Sequence, residues 1–112
     1  MTTQTGTVTL QGPNRSYKMT ATCTDDAWNE LLDGTNGLKL YEIARGLPFN
    51  AYMGNYAAGS GVFRIRNTQT NQIKCMGAIG VISKGLEILP LIAPFTVQEN
   101  DTIELFTTVA GS

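Results

Sequence analysis

The chain reads as an all-β protein, a single antiparallel β-sandwich of about eight short strands with one short helix over residues 25–33. Three observations predict this. Apolar and polar residues alternate with period two through most of the sequence. Turn residues such as Gly12-Pro13-Asn14 and Lys84-Gly85 recur at intervals of about ten residues. The 112 residues are 42% hydrophobic and only 15% charged, enough to build one core and unlike a disordered chain. A single domain over 1–112 is expected, with residues 1–5 as a candidate flexible arm.

The first strand is TGTVTLQ, residues 5 to 11, which is rich in Thr and Val and stops at Gly12-Pro13-Asn14. In RSYKMTATC, residues 15 to 23, Tyr17, Met19, Ala21 and Cys23 fall on one face of a half-buried strand, with Ser16, Lys18, Thr20 and Thr22 on the other. The period then changes in TDDAWNELLDG. Thr24 or Asp25 suits a helix cap, Trp28, Leu31 and Leu32 stand at i, i+3 and i+4, and Gly34 closes the segment. Here Trp28 is expected to fasten the helix over the open end of the core. LKLYEIA, residues 38 to 44, alternates again as a strand, and Gly46-Leu47-Pro48 breaks it before another strand at 49–53.

GNYAAGSG, residues 54 to 61, reads as a glycine-rich loop, with Tyr52, Met53 and Tyr56 as candidates either for exposed contacts or for packing back onto the core. VFRIRN and IKCMGAIGVIS flank TQTNQ, which has the length of a hairpin link. Arg64 and Arg66 share one face of the first of these strands, read as solvated. Gly77 and Gly80 suggest a bulge or a close approach by another backbone, and Pro90 places LEILPLI at a sheet edge or a bend. In PFTVQENDTIELFTTVA, Phe95, Val97, Ile103 and Leu105 point to the core and Phe106 to the other face. Glu99, Asn100 and Asp101 make the turn of a closing hairpin or sheet crossover.

Much chemistry is excluded. The chain has no histidine, which removes Ser-His-Asp and Cys-His nucleophile systems and the usual zinc and copper sites. Cys23 and Cys75 form no CxxC pair and read as buried free thiols. GNYAAGSG lacks the GK[ST] ending and following helix of a phosphate loop. Calcium at Glu99-Asn100-Asp101 would lack ligands. The acid pairs Asp25/Asp26 and Glu99/Asp101 each have a local structural cause, so no catalytic residue, metal or cofactor is expected. Eight scattered basic residues against nine acids, for a net charge of −1, predict no direct nucleic-acid binding. MTTQTGTVTLQG has neither the basic nor the apolar region of a secretory signal, and no apolar run approaches the ~20 residues of a membrane span, so a soluble chain away from the membrane is expected.

An all-β, histidine-free chain of low charge that ends in PFTVQENDTIELFT resembles the small jelly-roll proteins of virus particles, particularly the cement or decoration proteins on the outside of tailed-phage heads. Size, strand count and the Asn100-Asp101 step into an alternating strand carry the resemblance. It implies a jelly-roll sandwich and a non-enzymatic protein that staples the joints between copies of a major capsid protein or another virion protein. It further implies a homo-dimer or homo-trimer, made in the host cytoplasm and located on the virion.

The expected mechanism is surface docking. An exposed edge strand or the N-terminal segment, including Thr5 and Thr7, adds to a partner sheet, while Phe49, Tyr52, Met53 and Tyr56 in the 46–61 region supply apolar anchors. Two other classes compete with it. A carbohydrate- or receptor-binding sandwich would draw on Trp28, Tyr41, Tyr52 and Tyr56, and a carboxylate-dependent hydrolase would unite Glu42, Glu87 and Asp101.

Overall fold

A computed structural model describes residues 3–56, 59–80 and 88–109. Among these described residues nine strands and one short helix follow in the order β1 (Thr3–Gly12), β2 (Arg15–Thr24), β3 (Trp28–Glu30), β4 (Leu32–Asp33), α1 (Leu40–Ala44), β5 (Pro48–Tyr56), β6 (Gly59–Asn67), β7 (Ile73–Ile79), β8 (Leu89–Thr96) and β9 (Asp101–Val109). They form a five-stranded sheet in the order β4-β2-β1-β5-β8 and a four-stranded sheet in the order β3-β9-β6-β7. The pairing is nested: β3 with β9 encloses β5 with β8, which encloses β6 with β7. A long hairpin folded over on itself in this way is a jelly roll. The N-terminal strand β1 fills the place between β2 and β5.

Period-two alternation puts one side of every long strand into a shared core. Val8, Leu10, Met19, Phe49, Tyr52 and Tyr56 enter it from the larger sheet, and Phe63, Ile65, Ile79, Ile103 and Leu105 from the smaller. Tyr52 and Phe63 meet across the gap with ring centres 4.7 Å apart, edge to face. The Tyr52 hydroxyl ties the layers by donating to the Ala78 carbonyl oxygen at 2.8 Å. Cys23 and Cys75 are buried free thiols, as the sequence predicts, and burial pushes both thiols up from their ordinary pKa.

The helix expected over 25–33 is absent. The segment holds a turn at Asp26, whose φ is 62°, followed by β3 and β4. Trp28, Asn29 and Glu30 pair with Phe106, Leu105 and Glu104, and Leu31 N–H donates to Ile103 O at 2.9 Å. Pairing overrides helical spacing because β9 would otherwise leave a row of backbone groups without partners, whereas a nine-residue helix in isolation is marginal. The acids at the supposed helix start serve the turn and its surroundings. Asp25 Oδ1 accepts from Tyr56 Oη at 2.8 Å and from Thr107 Oγ1 at 3.1 Å.

The helix lies instead at Leu40–Ala44, within the segment expected to be a strand. Leu40 and Ala44, four apart, are its buried side. Glu42 Oε1 accepts the Lys39 backbone N–H at 2.8 Å and so satisfies a donor at the helix start. Gly46, at φ 86°, ends the segment in the left-handed region and donates to Val97 O at 2.7 Å.

Further expectations change. Residues 54–56 continue β5 and residues 59–61 begin β6, so most of the expected 54–61 loop is strand. Of the candidate arm over 1–5, residues 3–5 are paired with β2, and residues 1–2 lie outside the described residues. β8 and β9 lie in different sheets, so of the two readings of the 97–100 turn, hairpin or crossover, the crossover holds. Gly77 is not at a bulge. A Cβ there would strike the Phe63 ring, so the glycine makes room for a core aromatic. At Gly80 the close backbone approach is real, since its carbonyl accepts from Tyr56 N–H at 2.9 Å. The register shift of this hairpin lies beside Ile65 and Arg66.

Candidate protein-docking face

The sequence-predicted contact residues do not assemble into a surface. Phe49, Tyr52 and Tyr56 are 1%, 6% and 0% exposed, so their rings belong to the core and cannot act as surface anchors in this fold. Their expected role is corrected by the inward alternation of β5, in which Met53 faces the opposite way and is half-buried. Burial pushes the Tyr52 and Tyr56 phenols up from their ordinary pKa. Thr5 and Thr7 lie on the outer side of β1, but β1 is an inner strand, paired with β2 and, from Gly6 on, with β5. Its backbone is not an edge for a partner to extend.

The true edges are poorly suited to augmentation as well. β3 has three residues and β4 has two. β8 is an edge, as Pro90 predicts, and Pro90 and Pro94 have no N–H to offer. On β7 the Lys74 ammonium turns inward onto the buried Asp101 Oδ2 at 2.6 Å and onto Thr96 O at 2.8 Å. Short edges, proline and an inward charge are the devices that block edge-to-edge pairing.

A different surface emerges on the outside of the four-stranded sheet. Register places Trp28 beside Phe106, Phe106 beside Val62, and Val62 beside Ala78, which makes one apolar row across all four strands. Trp28 and Val62 are each 36% exposed, and Met76 in the next row is 46% exposed. Trp28 and Phe106 have ring centres 5.6 Å apart. Cross-strand neighbours on one face stand close enough to act as a unit.

The next row is charged. Glu30 faces Glu104, and Glu104 faces Arg64. Like carboxylates opposite one another repel, and cations hold both. Lys39 Nζ reaches Glu30 Oε1 at 3.1 Å, and this hydrogen bond raises the Lys39 pKa. Arg66 grips Glu104 through Nε and Nη2 at 2.9 and 3.0 Å, and Arg64 Nε adds a third bond at 2.8 Å. Burial alone would push the Glu104 carboxyl up, but hydrogen bonds from Arg66 and Arg64 outweigh it and hold the group below its ordinary value. The Arg64 guanidinium also lies over the Trp28 ring, 3.8 Å from its centre. The two arginines, expected to be simply solvated, are locked in place.

The acids that looked like a cluster in the sequence go separate ways. Asp101 is fully buried and accepts from Asn67 Nδ2, Gln98 N–H and Lys74 Nζ at 3.0, 2.8 and 2.6 Å. Glu104 faces outward into the arginines, and Glu99 is exposed in the crossover. Glu42 is committed to the start of α1, and Glu87 lies outside the described residues. Among the described residues no three of Cys, Asp and Glu stand together as a metal site. No helix among them is long and apolar enough to cross a membrane.

A depression of about 660 Å³ lies on the other sheet and is lined by Thr5, Thr7, Lys18, Thr20, Asp33 and Asn36, among others. Its polar groups are partly spent internally. Thr20 Oγ1 donates to Gly6 O, and Asp33 accepts from the Thr35 and Asn36 amides.

Phe106, Val62 and Met76 are the functional candidates that sequence reasoning missed. Alternation marks each as outward-facing, but only the register of β3, β9, β6 and β7 lines them up. Comparison of the chain with models of protein families, with curated proteins and with solved structures gives no match.

Proposed function

We propose that this protein is a non-enzymatic docking module that binds the surface of a larger protein assembly through the outer face of its four-stranded sheet. The uncovered row of Trp28, Phe106, Val62 and Ala78 carries this reading. Trp and Arg side by side in a partly desolvated patch are the residue types that dominate binding energy at protein interfaces. Blunted edges on both sheets favour contact through a face over strand addition.

Strands of three, nine, nine and seven residues, spaced about 4.8 Å apart, give a face on the order of 450 Å². Stable one-to-one complexes bury about 800 Å² per partner, so a single face is small for the task. A repeated array that engages many copies together removes this shortfall. A capsid decorated on its outside is such an array, and the resemblance to decoration proteins makes a virion surface the proposed place of action.

Cosedimentation with particles from the source organism tests the proposal. Trp28→Ala combined with Val62→Asp should reduce particle occupancy by at least about tenfold. Thr7→Asp combined with Thr22→Asp, on the opposite face, should leave occupancy unchanged. A protein found free and monomeric, with no particle carrying it, overturns the proposal. The exposure of Trp28 favours a second reading, glycan binding by ring stacking, although Arg64 already occupies one ring face. Quenching or enhancement of Trp28 fluorescence on a sugar panel would move the assignment there.

A further inference from the structure

Resting on the docking face just proposed, we infer that the partner delivers a carboxylate, from an aspartate or glutamate with apolar neighbours, to the guanidinium of Arg64. Arg64 and Arg66 differ in how much of their hydrogen-bonding capacity the fold consumes. Arg66 uses Nε and Nη2 on Glu104 and Nη1 on Asn71 Oδ1 at 2.7 Å. Arg64 uses Nε alone, and among the described residues neither of its terminal nitrogens has a protein acceptor.

The guanidinium is nevertheless held in place. Glu104 fixes its Nε side and the Trp28 ring fixes its plane, with 21% of the side chain exposed. A planar fork held this way loses little freedom on meeting a carboxylate, which it can bind through two parallel N–H···O bonds. Three cations, Arg64, Arg66 and Lys39, stand here against two carboxylates, Glu30 and Glu104, so the face is positive on a chain whose net charge is −1. An incoming acid is attracted there. Phe106, Val62 and Trp28 then cover the pair with apolar surface and exclude water, which accounts for the demand for apolar neighbours around the partner's acid.

The test titrates the whole ¹⁵N-labelled protein with N-acetyl-Leu-Glu-Leu-amide and with its Gln counterpart, following the Arg64 Nε–H signal and the amides of Val62, Arg64 and Phe106. The Glu peptide should bind at least about fivefold tighter and shift the Arg64 Nε–H signal. Arg64→Gln should abolish the preference while its remaining amide spectrum stays native, because Arg66 still holds Glu104 by two bonds. Equal binding of the two peptides at this face overturns the carboxylate and leaves the docking face standing. No response from these signals to either peptide overturns both.

Discussion

Thr5 faces Thr22 and Thr7 faces Thr20 on the outside of the five-stranded sheet, whereas Trp28, Phe106, Val62 and Ala78 stand abreast on the outside of the four-stranded sheet. Both faces come from the same antiparallel ladder and the same period-two alternation. The first is polar and satisfies part of itself, as Thr20 Oγ1 does with Gly6 O at 3.0 Å. The second is apolar, bordered by charges that lock each other in place. An outward position therefore means solvation on one sheet and a half-dry patch on the other. The difference arises from which strands become neighbours.

Stability measurements can break or sharpen this contrast. The largest effect is expected at Glu104, whose removal leaves Arg64 and Arg66 without their shared partner. Glu104→Ala should lower unfolding free energy by about 3 kcal/mol in urea melts, since stripping one member of a largely buried pair leaves the others uncompensated. A loss below about 0.5 kcal/mol, the size typical of an exposed pair, would show that the charged row is no lock.

Acid should act through the same residue. The folded-state pKa of Glu104 is lowered from its ordinary 4.5, so its contribution is complete above that value and disappears as pH falls through the lower folded value. The urea midpoint should therefore decline below about pH 4.5, and Glu104→Gln should flatten that decline. An identical slope in the variant would assign the acid sensitivity to other groups.

On the polar face the expected effects shrink. Thr20→Val keeps the shape, loses the bond to Gly6 O, and should cost about 1 kcal/mol by thermal melting. The smallest effect is expected for Thr5→Ala and Thr22→Ala, which should each stay within about 0.5 kcal/mol of the parent. A threonine variant as costly as Glu104→Ala would erase the distinction between the faces.

The β-sandwich class, the β6–β7 hairpin, the buried thiols and the inward set Phe95, Val97, Ile103 and Leu105 were legible in the residues themselves, because period-two alternation follows from the geometry of a strand. The absence of histidine was equally plain, and with it the exclusion of several catalytic mechanisms. Local pattern misled at Trp28-Asn29-Glu30, where helical spacing yielded to pairing with β9, and at Leu40–Ala44, where alternation concealed a turn of helix. In both segments, short runs satisfied two periods at once, and long-range hydrogen bonding chose between them. Tertiary structure alone decided that β1 sits inside a sheet, that Tyr52 and Tyr56 are core, and that Trp28, Phe106 and Val62 share a row. Strand order and register depend on backbone pairing between distant segments, and alternation within a strand specifies its faces but not its neighbours.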